Sequence, residues 1–446
     1  MAKASDSRIQ TMCNIQRRYM STVCHSRSTS TPEAPTHGST LHPWELPYLR
    51  TSYRLAITRR HLTGTSTTAD IRLNIDLHIA YRDQTVSTGP IVLANVTFGP
   101  YTVYNQAIML SINSSADAGT SSNGLIGLAG YIPDGSSIYT SLMNTSFAEN
   151  GVPIVYNIFE HSPGLPNYMT FLLSRSSGGL TNGGLLTVSE VLSNLKDILK
   201  APLLDSISPI NWQTVLDGVY LNGKRLLGGK QYGNSTASPG TTWRRPALLD
   251  TGTTRIVAPL SDVEEFYKHI PGASRLQAED GIALYRVPCE TRLNVTLSLS
   301  GQLFPLHPID LVNVAFDDIK DGFICVGTIY HGGDIPMWVL GDSFLHNVYA
   351  LYGYGTPNTS ELKAQSPYMQ LLSLTNPARA WEEFETLLFD ELLYSADSLV
   401  SALAGNATST TGLAVYTGTT PSVSLIEASV TATAISQPVV TEIGHR

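Results

Sequence analysis

Apolar and polar residues alternate without a break from Ile71 to Ile79 (Ile-Arg-Leu-Asn-Ile-Asp-Leu-His-Ile), the period of a strand with one buried face. Ile91–Phe98 reads as a second strand, stopped by Gly99-Pro100, and the two form a hairpin joined across residues 81–90. Short strands and turn residues continue to about residue 190. A second β-rich unit runs from about Asn211 to Pro367, with turn signals at Asn222-Gly223 and Asp321-Gly322. Between the two units, Glu190–Leu204 has helical spacing. After Pro367 the period changes. Asn376-Pro377 is a good helix start, with Asn as N-cap and Pro in the first turn. Trp381, Phe384, Leu388, Leu392, Leu399 and Leu403 follow at three- and four-residue spacing or multiples of it. The helix also carries Glu382, Glu383, Glu385, Asp390 and Glu391, which an anionic bilayer would repel, so it is expected to pack on the body of the protein. Beyond Gly405 the chain is Thr/Ser-rich with little periodicity, a flexible tail or stalk.

Composition narrows the class. The 446 residues suffice for two domains, and 42% hydrophobic with 14% charged residues describes a globular chain. A net charge of −8 argues against nucleic acid as a partner. The balance is uneven, because residues 1–70 carry +5 and the remainder −13. No segment reaches the roughly 18 apolar residues of a membrane span. The basic, Ser-rich start lacks the apolar stretch of a secretory signal and resembles a transit peptide only in composition. Seven Asn-x-Ser/Thr sequons, at Asn95, Asn113, Asn144, Asn234, Asn294, Asn358 and Asn406, admit glycosylation of an exported protein. The four cysteines fall into the pairs Cys13/Cys24 and Cys289/Cys325, and the second pair suits a disulfide closing a long loop. No cysteine or histidine cluster has zinc-ligand spacing, so no metal site is expected.

The chemistry concentrates in Pro246-Ala-Leu-Leu-Asp250-Thr251-Gly252-Thr253-Thr254-Arg-Ile-Val-Ala-Pro259. An apolar strand runs into a carboxylate, a glycine that lets the backbone pass close to a neighbour, and hydroxyls able to orient the carboxylate. About ninety residues later comes Trp338-Val-Leu-Gly341-Asp342-Ser343-Phe344-Leu345. Gly-Asp-Ser also suits an esterase nucleophile block, but no histidine in the chain has the aspartate three residues before it that such a site requires. The paired blocks resemble the C-terminal lobe of the pepsin-like aspartic endopeptidases. In that family an Asp-Thr-Gly loop is crossed by an apolar-apolar-Gly strand continuing into Gly-Asp-x-Phe-Leu. Asn123-Gly-Leu-Ile-Gly127-Leu128 resembles the crossing strand of the first lobe, Tyr81 stands at the flap tyrosine, and Trp212–Gly223 resembles the strand opening the second lobe.

The resemblance implies an all-β, bilobal pepsin-like acid protease fold with a central cleft. The N-terminal β-lobe is assigned to 71–204, lacking its start, and the C-terminal β-lobe to 205–375. Residues 1–70 are an atypical basic segment, 376–404 the amphipathic helix and 405–446 the tail. The implied activity is hydrolysis of a protein or peptide bound in the cleft, at acidic pH. Asp250 is then the catalytic carboxylate, supported by Thr251, Gly252 and Thr253, with Tyr81 on the flap and Cys289–Cys325 as the C-lobe disulfide. No metal or cofactor is implied, and an extracellular or cell-surface monomer is expected.

One part of the pattern is missing. The family mechanism pairs two carboxylates, one per lobe, that share a proton. The sequence holds a single Asp-Thr-Gly, and Thr36-His-Gly-Ser-Thr40 has threonine where the first aspartate belongs. The flap also departs, since Arg82, Asp83 and Gln84 replace the glycines expected after Tyr81. Three readings remain open: residues 1–70 replace a lost catalytic block, the protein is a peptide-binding pseudopeptidase, or an unconventional second acid serves.

Overall fold

The structure is a computed structural model that describes residues 71–80, 86–114, 125–128, 136–177, 180–181, 184–208, 211–226, 244–276, 281–317, 322–333, 335–355 and 367–407. The segment 1–70, Tyr81, Asn234, Asn358, Cys13, Cys24 and the tail beyond Ala407 lie outside the described residues. The fold is all-β and bilobal, with few helices.

The alternating stretch forms the strand Ile71–Ala80, with Leu77 buried and its polar neighbours exposed. It pairs antiparallel with Val86–Phe98, which pairs in turn with Tyr101–Met109. Ala80 faces Val86, so the hairpin connection is shorter than the apolar pattern suggests. Gly89-Pro90 does not break the second strand. A Cβ at Gly89 would lie 1.9 Å from the Leu110 carbonyl oxygen, and only glycine admits that close crossing. The carbonyl of Pro90 accepts the Leu110 N–H at 2.9 Å, so the proline still contributes to the ladder.

The C-terminal lobe is built on a twelve-stranded sheet. Its strand Gln213–Leu221 pairs antiparallel with Arg245–Leu249 on one side and Val295–Leu299 on the other. Asn222 and Gly223, with φ of 52° and 74°, make the two-residue turn that pairs Leu221 with Lys224. A five-stranded sheet links the lobes, ordered Leu185–Val188, Tyr168–Leu172, Val348–Gly353, Tyr368–Ser373 and Leu204–Asp205. Its strands come from both sides of the twelve-stranded sheet in the chain. Trp212 seals the junction, its ring edge-on to Tyr352 and Tyr354.

Two local expectations change. Glu190–Leu204 is mostly turns, with a five-residue 3-10 helix at Lys196–Lys200 instead of an α-helix. Its apolar side chains Val191, Leu192 and Leu195 pack beneath Tyr349 and Leu351, which needs no continuous helical face. Leu125–Leu128 is not in a strand, yet the Leu128 carbonyl accepts the Trp212 indole N–H at 3.2 Å and the Tyr354 hydroxyl.

The C-terminal helix runs Pro377–Ala407. The Asn376 side chain accepts the N–H groups of Ala378 and Arg379 at 3.0 and 3.2 Å, the expected cap. Phe384 and Leu388 enter the main core. Trp381 does not join them: it is 41% exposed, with Arg292 stacked 5.4 Å above its ring, and Arg292 also pairs with Glu385.

Cys289 and Cys325 form a disulfide across 36 residues. Closing a loop of that length removes chain entropy worth about 4 kcal/mol from the unfolded state. Replacing both cysteines by serine is expected to cost about 2–5 kcal/mol, read as a lower denaturation midpoint in urea. An unchanged midpoint would remove the disulfide from the set of stabilising features.

Candidate active site

Asp250 follows the strand Arg245–Leu249, and the chain returns as the short strand Ile256–Val257. The strand Trp338–Leu340 lies between them, parallel to the first and antiparallel to the second. Residues 250–255 therefore loop around the end of that strand. Leu340 holds the loop's start, its carbonyl accepting the Asp250 N–H at 3.1 Å. Past Leu340 the ladder continues with the N–H groups donating into the loop: Gly341 to Arg255, Asp342 to Thr253 and Ser343 to Thr254, at 2.8–3.1 Å. A Cβ on Gly341 would lie 2.0 Å from the Thr253 oxygen and 2.4 Å from that of Arg255, so no other residue fits there.

The carboxylate is clamped on both oxygens. Oδ1 accepts the Gly252 N–H at 2.9 Å and Oδ2 accepts the Thr253 hydroxyl at 2.6 Å. Together the two bonds fix the plane of the carboxylate. Thr251 is half-buried within the turn, while Gly252 is exposed and its N–H makes the bond. The expected set Asp250, Thr251, Gly252 and Thr253 is thus one compact turn.

A second carboxylate stands beside it. Asp342 opens the short helix Asp342–Leu345, is 5% exposed, and its Oδ1 has no hydrogen-bond partner. Burial, reinforced by the Asp250 charge, pushes its carboxyl up to about 8, so Asp342 carries a proton through the acidic and neutral range. Burial also raises the Tyr352 phenol, and Asp250 and Asp342 add to the shift. In the sequence, Asp342 belongs to the Gly341-Asp-Ser-Phe block with no role implied for it. The signal was available: the crossing that needs Gly341 necessarily delivers the next residue to the Asp250 loop.

Among the described residues no three His, Cys, Asp or Glu side chains gather as a metal site. No helix among them is long and apolar enough to cross a membrane.

A carboxylate clamped in a loop around a crossing strand, with glycine at the crossing, is the C-lobe arrangement that the resemblance implies. The profile of eukaryotic aspartyl proteases matches residues 56–361, more than half of the chain. The chain belongs to the eukaryotic aspartyl protease family. Individual relatives are distant. Over 177 residues it is 29% identical to the aspartic-type endopeptidase ctsD of Aspergillus fumigatus, covering 38% of this chain and 32% of that protein. Over 286 residues it is 26% identical to an aspartic protease of Phaffia rhodozyma, covering 62% and 60%. Over 212 residues it is 27% identical to cathepsin D of Canis lupus familiaris, covering 46% of each. The chain spans less than two thirds of the length of each of these relatives. Within the aspartyl protease fold of this chain, Asn95, Asn144 and Asn294 are exposed sequons. Asn113 lies in a two-residue strand and Asn406 in the last turn of the C-terminal helix.

Proposed function

We propose that this chain is an aspartic-type endopeptidase of protein or peptide substrates, in which Asp250 is the base that activates water. The observation that carries this reading is the two-sided clamp on Asp250, which fixes the orientation of the carboxylate in its loop. The attacking water gives its proton to Asp250, and the carbonyl oxygen of the scissile bond needs an acid facing it. In the family that acid is a second cleft aspartate. Here the neighbouring buried acid is Asp342, which holds a proton. The exposed sequons and the disulfide support an exported, glycosylated protein, at the cell surface or outside the cell.

A second reading has a specific observation behind it. The sequence holds one Asp-Thr-Gly, so the same fold serves as a peptide-binding pseudopeptidase if no acid faces Asp250. Loss of one half of an acid–base pair typically costs roughly 10²–10⁴ in rate.

One experiment separates the readings. Hydrolysis of a denatured protein at about pH 3–5 is measured for the wild type, Asp250→Ala and Asp342→Asn, with and without a transition-state-mimicking inhibitor. The endopeptidase reading expects inhibitor-sensitive cleavage that Asp250→Ala abolishes. Folded protein that binds the inhibitor without cleaving would establish the pseudopeptidase. Activity lost in Asp342→Asn while inhibitor binding persists would identify Asp342 as the unconventional second acid.

A further inference from the structure

His307 occupies an unusual position between the lobes and the C-terminal helix. It is 4% exposed and caps the 3-10 turn Pro308–Leu311: its Nδ1 accepts the Ile309 N–H at 3.2 Å. That bond settles the tautomer, because a ring nitrogen that accepts an amide proton cannot carry one, so the proton of the neutral ring is on Nε2. Nε2 is buried with no hydrogen-bond partner. The nearest acid is Glu383 of the C-terminal helix, whose Oε2 is 3.7 Å away, beyond hydrogen-bond reach.

Among the described residues, the charged groups around the ring come from three segments. Arg175, from the segment after Tyr168–Leu172, makes a fork to Asp310 with bonds of 2.7–2.9 Å and adds a bond to Asn347. Asp310 belongs to the capped turn and also faces His346, at the end of the short Asp342–Leu345 helix, at 3.4 Å. From the C-terminal helix come Glu383 and its partner Arg379. Asp310 is thus already committed to Arg175 and His346, and Glu383 to Arg379. A charge added to His307 meets the Arg175 charge, and the carboxylate oxygen it faces is Glu383 Oε2 at 3.7 Å, on a carboxylate whose other oxygen takes Arg379.

We propose that His307 is an acid-sensitive catch for the C-terminal helix: the neutral ring caps the turn on which the helix rests, and protonation breaks the cap and loosens the helix. An imidazolium carries protons on both nitrogens, so Nδ1–H would point at the Ile309 N–H that it now accepts. The ring must then leave the cap, and the Pro308–Leu311 turn loses its N-terminal bond. The C-terminal helix packs on that turn and on the strand that follows it, Val312–Asp317. Burial, with Arg175 assisting, depresses the basicity of His307, against smaller opposing effects of Asp310 and Glu383. The sign follows from linkage: a histidine with a lowered folded pKa is neutral and stabilising above about 6.5, and its contribution falls as pH drops from there through the folded value.

The test follows amide hydrogen exchange in residues 384–396 of the full chain from pH 7.5 to 4, corrected for intrinsic exchange, in the wild type, His307→Asn and Glu383→Gln. Asparagine can accept the Ile309 N–H without titrating. Wild-type protection is expected to fall about tenfold or more on acidification. His307→Asn should hold it constant, and Glu383→Gln should move the fall to lower pH. Wild-type protection that does not change, or an equal fall in His307→Asn, overturns the proposal. If His307→Asn does not fold, ¹⁵N shifts of His307 in the wild type decide: protection must fall at the midpoint of that ring's titration, and a fall at any other midpoint overturns the catch.

Discussion

Gly341→Ala should lower stability by more than about 3 kcal/mol and destroy binding of a transition-state-mimicking inhibitor, the larger part of that loss coming from displacement of Asp250. Ordinary overpacking is relieved when a neighbouring side chain rotates. Here the new methyl meets backbone oxygens of Thr253 and Arg255 at 2.0 and 2.4 Å, and backbone cannot rotate away. Either the loop 250–255 or the strand Trp338–Leu340 must move by more than an ångström. Both movements break the ladder in which Gly341, Asp342 and Ser343 donate to Arg255, Thr253 and Thr254. The clamp on Asp250 depends on that ladder, because the same Thr253 supplies the hydroxyl to Oδ2. Gly164→Ala is the control. A Cβ there meets nothing within 4 Å, so the change should stay within about 0.5 kcal/mol. Urea midpoints of the two variants, with inhibitor affinity beside them, check both statements. A Gly341→Ala protein as stable as Gly164→Ala would mean that the crossing is looser than described.

That crossing also marks how far the sequence could be read. Asp250-Thr-Gly and Gly341-Asp-Ser-Phe were legible because each is a local arrangement forced by close backbone approach, which restricts residue type strongly. The hairpin alternation and the Asn376 cap were legible for the same reason, since period and capping depend on a few adjacent residues. The Cys289–Cys325 pairing was legible from the spacing of the four cysteines and agrees with the family resemblance, and the structure contains it. What escaped depends on tertiary proximity. The place of Asp342 beside Asp250 shows only through the backbone crossing at Gly341, and Arg175 and Asp310 are separated by 135 residues. Glu190–Leu204 misled because apolar residues at helical spacing also serve a turn-rich segment packed under one sheet. Trp381 misled because a tryptophan on an apolar face can be satisfied at the surface by Arg292.

The interlobe cluster gives the second large effect. Asp310→Asn should cost about 3–5 kcal/mol near neutral pH, because it leaves the Arg175 guanidinium beside the buried turn without its counter-charge. The carboxylate is 4% exposed and takes Arg175 on both oxygens, Asn347 Nδ2 at 2.8 Å, and His346. Burial alone would raise its pKa, but the Arg175 charge with His346 outweighs burial and holds the carboxyl far below the usual range. The pH dependence follows in sign. A depressed carboxylate contributes fully above its unfolded value near 3.9 and loses that contribution as pH falls through the folded value. The penalty of Asp310→Asn should therefore be constant from pH 7 to about 4 and shrink by about 1.4 kcal/mol per pH unit below that. Urea unfolding of the two proteins at pH 7, 5, 4, 3 and 2 reads the difference directly. A penalty that is small at pH 7, or that does not shrink below pH 4, would show that the pair is solvent-relaxed. The result matters for the proposed activity, because a lobe junction that stays ionised at pH 3–5 keeps the two halves together where an acid endopeptidase works. His307, whose basicity burial depresses, gains its proton as pH falls below its ordinary range, so on the acid side one cluster holds the lobes while its neighbour loosens the C-terminal helix.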